Sequence, residues 1–524
     1  MGDSFARRDE QSYSLAPEMG RDGYDLLLTD LAARDLLPNR IVHMWLVTDQ
    51  ETFRPGSSFF DRNRECGFFS LTWLAQALGD QGVDGAHILA LSNGAAQVLD
   101  EALPYPEKAL IAGPAAALAR EFPGLTCATL DIALPATEAH GQRKGLGRKR
   151  AKPAPDLAPL VARLRDDLFA TPTNTVAALR GAQRLEQTYR ASALPNPQPM
   201  FQTGGTYLIT GGFGGIGQCL AKMLARDYQA NLILVTRRTV SAKSVGALEA
   251  LGARVAVITA DICDLDQMQH GLAEATGKLG TVTGVIHAAG VIDDAPLMTK
   301  TATALEAVLA PKVQGLRVLD ALFPDGSIES LVLFASTSTA IRPAGQVDYV
   351  AANEFLNAYA RHRAGNKTQV TAINWGVWAE VGMAAQAAGL TPTKQQTFTP
   401  TNHPLLDEVS FGNSGKTLFR SQFSTKTHWV LDEHRTTERA AILPGTGYLD
   451  LIAQAMRVQG ACGGFEISDL MFLNPLSVAD DATQEVQLAL TARADGYDVD
   501  MQSPQTVAGK TGLLTHARAQ VQAL

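Results

Sequence analysis

No run of about 18 apolar residues occurs in the 524-residue chain, so it holds no segment that would cross a bilayer as a helix. The charged stretch from Arg7 to Glu10 lacks the apolar core of a secretory signal peptide. Positive charge is in deficit as well. With 45 Lys and Arg against 53 Asp and Glu, the net charge of -8 argues against nucleic acid or an anionic membrane as the main partner. Cysteine is scarce: Cys66, Cys127, Cys219, Cys263 and Cys462 show neither CxxC pairs nor metal-ligand spacing and read as small core residues in a reducing compartment. A cytoplasmic chain without a metal site, a membrane partner or a nucleic-acid partner is expected.

What is present is length and an α/β rhythm. At 524 residues, roughly two to four domains are expected. In the first part, Ile41–Val47 and His87–Leu91 read as strands and Phe68–Leu78 as the helix between them. The following turn, Ser92-Asn93-Gly94-Ala95, carries no glycine fingerprint for a phosphate, so this part reads as a dinucleotide-type fold without a nucleotide. The basic stretch from Gly141 to Pro155, with Arg143, Lys144, Arg148, Lys149, Arg150 and Lys152, reads as a solvated loop. Contact with an acidic partner is the alternative.

A second α/β part opens with a strand, Thr206–Thr210, then Gly211-Gly212-Phe213-Gly214-Gly215-Ile216-Gly217, then a helix through Leu220, Met223 and Leu224. Glycines there allow a tight turn and let backbone N–H groups approach a pyrophosphate at the positive end of the helix. A glycine-rich loop alone is a weak signal; this one lies between a strand and a helix, with a second strand, Asn231–Thr236, at βαβ distance. At the end of that strand an acidic residue would receive the ribose hydroxyls of NAD. Arg237-Arg238 stand there instead. Guanidinium groups suit a 2′-phosphate through paired hydrogen bonds, so NADPH is the expected cofactor.

Further on, the apolar run Leu331–Ala335 reads as a buried parallel strand and places Ser336 at its C-terminal edge, where doubly wound sheets bind ligands. Tyr349 and Asn353 fall four apart, on one face of a helix that continues through Phe355, Leu356 and Tyr359. Taken singly, such a Tyr is usually a packing residue and such an Asn a solvated one. Their spacing downstream of a nucleotide fingerprint gives the set its meaning.

The general short-chain dehydrogenase/reductase family has Lys where this chain has Asn353, and here a Lys lies upstream in Val308-Leu309-Ala310-Pro311-Lys312-Val313-Gln314-Gly315. In both features the chain resembles the ketoreductase domains of modular type I polyketide synthases. The resemblance implies that Ser336 hydrogen-bonds a ketone and Tyr349 protonates it while a hydride arrives from a nicotinamide. Lys312 and Asn353 would then lower the phenol pKa, ordinarily near ~10, and order the proton relay. It further implies that Thr210, Gly211, Gly212, Gly214, Gly215, Ile216 and Gly217 hold the cofactor, with Asp261-Ile262 at the adenine and Ala288-Ala289-Gly290, after His287, at the ribose and nicotinamide. Ile292 and Asp294 resemble the LeuXxxAsp of ketoreductases that deliver the D-configured alcohol. The Trp of the opposite type would stand eight residues before Tyr349, at Ile341. Trp375, within Ala372–Trp378, and Gly382-Met383-Ala384 resemble the last strand and substrate lid. Tyr105–Leu110 and Arg120–Leu125 resemble the signature of a structural subdomain that braces the catalytic one. The implied fold is α/β, two Rossmann-like doubly wound subdomains over 1–195 (structural) and 196–388 (catalytic). The implied substrate is tethered to an acyl carrier protein, for which the basic stretch is a candidate contact.

From Ala385 the composition turns rich in Ala, Gln, Thr and Pro, a linker covering 389–402. His403-Pro404-Leu405-Leu406-Asp407 starts a unit of 403–524, with strand-like segments at Leu418–Phe423 and Trp429–Leu431, then His434, then Ile442–Asp450 leading into an apolar helix to Met456. It resembles the first α+β hotdog of a polyketide dehydratase, whose His removes the α-proton of a β-hydroxyacyl thioester. Glu438 stands where the pattern has Gly, Arg439 follows, and Pro444 comes one residue late. No second hotdog, the bearer of the catalytic Asp, precedes Leu524, so His434 lacks its expected partner and no dehydration by a lone chain is expected. A complementary dehydratase half on another chain, a scaffold role that docks other synthase subunits, and a homodimer pairing His434 with Asp450, six residues after Pro444, stay open. Neither a condensing-enzyme Cys motif nor an acyltransferase GlyHisSerXxxGly motif occurs.

Overall fold

The structure is a computed structural model that describes residues 2, 4–48, 50–51, 57–83, 85–134, 156–192, 200–378, 398–411, 416–437, 439–460, 464–493, 496–507 and 510–523. The basic stretch Gly141–Pro155, the segment Gly382–Ala384, the linker up to residue 397, Glu438 and Cys462 lie outside them. The chain divides into two units, Met1–Gly376 and Val377–Leu524.

In the first unit a small ladder, β1 (Ala6–Arg7) with β2 (Tyr13–Ser14), precedes two sheets. The first sheet holds β3 (Arg40–Leu46), β4 (His87–Ser92), β5 (Thr126–Ile132) and β6 (Val176–Arg180) in parallel, with β7 (Gln183–Glu186) returning antiparallel, in the order β3-β4-β5-β6-β7. Because that order never reverses, it opens no switch-point crevice of the kind that receives a dinucleotide. A side chain closes the strand ends instead. Lys108 is fully buried and its Nζ donates to Leu46 O (2.9 Å), Thr48 Oγ1 (2.7 Å), Asn93 O (3.0 Å) and Asn93 Oδ1 (2.8 Å).

The second sheet is wholly parallel: β8 (Thr206–Thr210), β9 (Asn231–Thr236), β10 (Arg254–Thr259), β11 (Gly284–His287), β12 (Ser330–Ser336) and β13 (Gln369–Trp375), in the order β10-β9-β8-β11-β12-β13. Strand order reverses between β8 and β11, which puts a ligand crevice at their C-terminal ends. The apolar runs of β8 and β12 are buried as a parallel sheet covered on both faces requires. Leu71, Leu78, Leu110 and Leu118 from the first half share one apolar core with Leu309, Val347, Ala351 and Phe355 from the second. At about 1.5–3 kcal/mol for each large apolar side chain buried, neither half of this unit is an independent body.

The second unit is a hotdog. Its sheet, β14 (Thr399–His403), β15 (Leu406–Phe411), β16 (Lys416–Phe423), β20 (Gln484–Ala492), β21 (Gly496–Val507), β22 (Lys510–Ala523) and β18 (Phe465–Phe472) in that order, is antiparallel. Two short strands, β17 (Ala441–Ile442) and β19 (Ser477–Val478), pair apart from it. The sheet packs on the helix Gly445–Val458, whose Tyr448, Leu451, Ile452, Ala455 and Met456 recur at the spacing of one helical face and meet Phe419, Leu488, Leu490 and Met501. One strand expectation fails: Trp429–Leu431 lies in a helical turn, Trp429–Asp432. Three apolar residues are too few to show a period, and only Leu431 of them is buried, Trp429 standing exposed.

Candidate active site

After β8 the backbone turns at Gly211 with φ +67°, a region open to glycine and strained for other residues. The helix Gly215–Tyr228 starts from Gly214 without a side-chain cap, so its first N–H groups remain available to an anion. A Cβ on Gly217 would lie 2.9 Å from Gly212 Cα and closer still to Gly211 O; helix and loop touch only because that atom is missing. The loop is fastened from behind. Thr210 Oγ1 accepts from Ala289 N–H at 3.2 Å and shares a 2.8 Å hydrogen bond with His287 Nδ1, and Ala288 N–H donates to Thr210 O at 3.3 Å. Burial pulls the His287 pKa down to about 3, so the ring is neutral.

Arg237 and Arg238 follow β9 exposed, their guanidinium groups making no hydrogen bond or ion pair with the described residues. Two exposed guanidinium groups after β9, without a partner among the described residues, and the uncapped helix end after β8 are thus hydrogen-bond donors to an anion at neighbouring strand ends. At the end of β10, Asp261 Oδ1 accepts from Cys263 N–H at 2.9 Å, and Ile262 is buried.

On the other side of the crevice Ser336 closes β12, its Oγ accepting from Ser338 N–H at 3.1 Å. Tyr349, in the first turn of the helix Val347–His362, has its phenol near enough to the side chains of Ser336 and Asn353 for both to act on its titration. Burial pushes the phenol pKa up, the neighbouring Ser336 and Asn353 side chains pull it down, and Asp294 adds a smaller upward push. Asn353 is fully buried; its Nδ2 donates to Tyr349 O at 2.7 Å, and its Oδ1 has no hydrogen-bond partner among the described residues. Lys312 lies just past Pro311 in the helix Ala302–Leu322. Its Nζ donates to Phe334 O at 2.6 Å, two residues before Ser336, and burial lowers its pKa from 10.5 to about 8. Asp294 Oδ2 accepts from Gln346 Nε2 at 2.8 Å. Trp375 is level with Ser336 in the sheet, its ring 5.4 Å from that of Phe334. Ser336, Tyr349, Asn353 and Asp294 therefore converge, while Lys312 is held against the strand behind them.

Three charged residues near this cluster were not among the site residues expected from sequence: Lys300, which pairs with Asp348 at 2.8 Å, Asp348 itself, and Glu121, whose carboxylate accepts from Gly345 N–H at 2.8 Å. Glu121 lies in a recognisable segment, but nothing in its spacing tells which loop it meets. A cavity of about 380 Å³ lined in part by Ser92, Asp131, Arg342 and Glu354 contains none of the expected site residues. In the second unit His434 is exposed, its Nδ1 2.8 Å from Val430 O, and Asp450 is exposed and accepts from Gln454 Nε2 at 3.0 Å. Among the described residues no group of His, Cys, Asp and Glu is arranged to hold a metal, and no helix is long and apolar enough to cross a membrane.

Known proteins resemble this chain in sequence and in fold. Residues 205–380 match the family model described as KR domain, residues 403–504 that of the polyketide synthase dehydratase domain, and residues 1–140 one described as beta-ketoacyl synthase-like, N-terminal. Erythronolide synthase EryA3 of Saccharopolyspora erythraea is 33% identical over 321 residues, 60% of this chain and 9% of that protein. The 6-methylsalicylic acid synthase of Aspergillus terreus is 34% identical over 233 residues, 40% of this chain and 13% of that protein. The chain thus spans a small part of the curated relatives it matches. Among solved structures, an A1-type ketoreductase superposes with a TM-score of 0.55 at 28% identity, covering 70% of this chain and 72% of the other. An N-terminal ketoreductase from the macrolactin assembly line shares the fold with a TM-score of 0.59 at 24% identity, covering 74% of each chain.

Proposed function

We propose that this chain, which carries a polyketide synthase ketoreductase domain followed by the N-terminal region of a polyketide synthase dehydratase domain, reduces a β-ketoacyl thioester on an acyl carrier protein to the D-type β-hydroxyacyl thioester with NADPH. The observation that carries this reading is the convergence of Ser336, Tyr349 and Asn353 at the C-terminal edge of β12. When bound, NADPH supplies the hydride. Gly211, Gly212, Gly214, Gly215, Ile216 and Gly217 would hold its pyrophosphate, Arg237 and Arg238 its 2′-phosphate, Asp261 and Ile262 its adenine, and Thr210 with Ala288, Ala289 and Gly290 its ribose and nicotinamide. The uncapped helix start and the exposed guanidinium groups, without a partner among the described residues, fit that cofactor.

Ser336 donates a hydrogen bond to the ketone oxygen, and Tyr349 gives that oxygen its proton, so charge developing there meets two O–H donors. The phenolate left behind is reprotonated through Asn353 from Lys312. An ammonium with a pKa of about 8 gives up a proton near neutral pH, as a relay source must. Asp294, held by Gln346, and Ile341, where the opposite type carries Trp, support the D outcome, and Trp375 would line the substrate side.

The same reading assigns 1–195 to a structural subdomain, 196–388 to a catalytic one, 389–402 to a linker and 403–524 to the first hotdog of a dehydratase. It expects a cytoplasmic protein working with other synthase domains, a complementary dehydratase half among them. His434 and Asp450, both solvent-facing, support the inference that a lone chain performs no dehydration. Chiral chromatography of products from the purified chain, NADPH and a simple β-ketoacyl thioester tests the proposal. One enantiomer of the alcohol is expected, with Tyr349→Phe slower by roughly 10²–10⁴-fold but still binding NADPH. No alcohol from a folded, NADPH-binding chain, alone or with a carrier-bound substrate, overturns the reductase reading. An alkene would revive the His434–Asp450 homodimer.

A further inference from the structure

The loops on either side of Tyr349 are tied by charged side chains for which the reaction itself has no use. Glu121 ends the helix Ala112–Glu121 of the first half. Its Oε2 accepts from Leu297 N–H at 2.5 Å and its Oε1 from Gly345 N–H at 2.8 Å. These amides belong to two different loops, one following Asp294 and one preceding Tyr349, and the loops meet again where Ala295 N–H donates to Gly345 O at 3.0 Å. Gln76, on the first-half helix Ser70–Asp80, donates from Nε2 to Leu297 O at 2.7 Å and Lys300 O at 2.9 Å. From the catalytic side Lys300, 3% exposed, reaches Asp348 Oδ2 at 2.8 Å and Asp293 Oδ2 at 3.2 Å, and also donates to Asp293 O. Asp348 immediately precedes Tyr349, and Asp293 immediately precedes Asp294.

Between Asp293 and Lys300 the only regular structure is a single turn, Leu297–Thr299, so no sheet ladder sets where Asp294 stands. The side chains of Glu121, Gln76 and Lys300 do. A carboxylate is suited to the task of Glu121 because its two oxygens accept from two separate amides, whereas a carboxamide of the same shape offers one acceptor and turns an N–H toward the other amide. Lys300 is suited to its own because one buried ammonium reaches carboxylates of both segments, and removing it leaves the buried Asp348 charge uncompensated.

We propose that Glu121 and Lys300 are positioning residues that fix Asp294 relative to Tyr349, so that the non-nucleotide half of the unit helps decide which face of the ketone is reduced. This rests on the reductase reading above. A displacement of about 1 Å at a reacting group alters rates by as much as 10²-fold, and this clamp, the Ala295–Gly345 hydrogen bond and the Gln346 contact all tie the Asp294 loop to the loop before Tyr349.

The test compares the full chain with Glu121→Gln, Lys300→Met and Lys300→Met/Asp348→Asn, the last leaving no buried Asp348 carboxylate unpaired should the single Lys300 variant fail to fold. Product enantiomer ratio, kcat/KM for a β-ketoacyl thioester, NADPH affinity, and amide hydrogen exchange across 291–300 and 343–349 are measured on each. For the folded variants kcat/KM is expected to fall roughly 10-fold or more, the minor enantiomer to rise, both loops to exchange faster, and NADPH affinity to stay within about 2-fold. An unchanged enantiomer ratio overturns the proposal, whether or not exchange quickens. A wild-type chain that makes no alcohol overturns it together with the reductase reading, while exchange then still reports whether the clamp holds the loops.

Discussion

Replacing Lys312 by methionine sets stability against catalysis in a way the structure makes quantitative. The ammonium is 4% exposed and keeps one hydrogen bond, to Phe334 O at 2.6 Å. Its pKa falls from 10.5 to about 8 on burial, which at about 1.4 kcal/mol per pH unit means that holding the charge costs about 3 kcal/mol. Because the folded pKa lies below the unfolded one, unfolding takes up a proton between pH 8 and 10.5, so stability rises with pH across that window and the full cost applies below it. Methionine fills similar volume and forfeits one hydrogen bond worth about 1 kcal/mol. Lys312→Met is therefore expected to be more stable than the parent by about 2 kcal/mol at pH 7, with the gain turning into a loss of about 0.5–1 kcal/mol near pH 10.5, and to reduce substrate roughly 10²–10³-fold more slowly. Urea unfolding at the two pH values, with NADPH oxidation assayed alongside, measures both. A loss of stability at pH 7 as large as at pH 10.5 would show that the buried ammonium stabilises the fold and would refute the argument.

Lys108 is the contrasting case. It too titrates at about 8, but it serves four acceptors. Lys108→Met strands them in the interior and is expected to lose about 2–4 kcal/mol at pH 7 in the same urea titration. Arg237→Ala/Arg238→Ala is expected to weaken NADPH roughly 10- to 100-fold while leaving NADH almost unaffected, a ratio read from cofactor titrations; equal losses for both would show that the pair does not meet a 2′-phosphate. Gly217→Ala forces a Cβ into the Gly211–Gly212 backbone and is expected to abolish NADPH binding, whereas Gly246→Ala, with open space at its Cβ, is not.

Much of the second sheet was legible because its signals are local. Runs such as Tyr207-Leu208-Ile209 and Leu331–Ala335 are apolar throughout, as parallel strands buried on both faces must be, and glycines mark the turn between β8 and its helix. In the second unit, Trp429–Leu431 was misread because a short apolar run has no period until burial on one side defines it. The strand order of the first sheet was illegible for a different reason: whether successive strands add on one edge or reverse depends on where each crossover lands, which no single strand records.

By itself the sequence determined which chemistries were available: a glycine cradle, paired arginines in place of an acid, and Ser336, Tyr349 and Asn353 on a strand end and a helix face, all set by contacts within a few residues. Tertiary structure alone decided which groups meet. It put the Lys312 ammonium on Phe334 O, plugged the first sheet with Lys108, and brought Glu121 across more than 170 residues to hold the loops beside Tyr349. Such long-range placements follow from how the shared core packs first-half helices and the second sheet on the helix Val347–His362, and local sequence carries no trace of that packing.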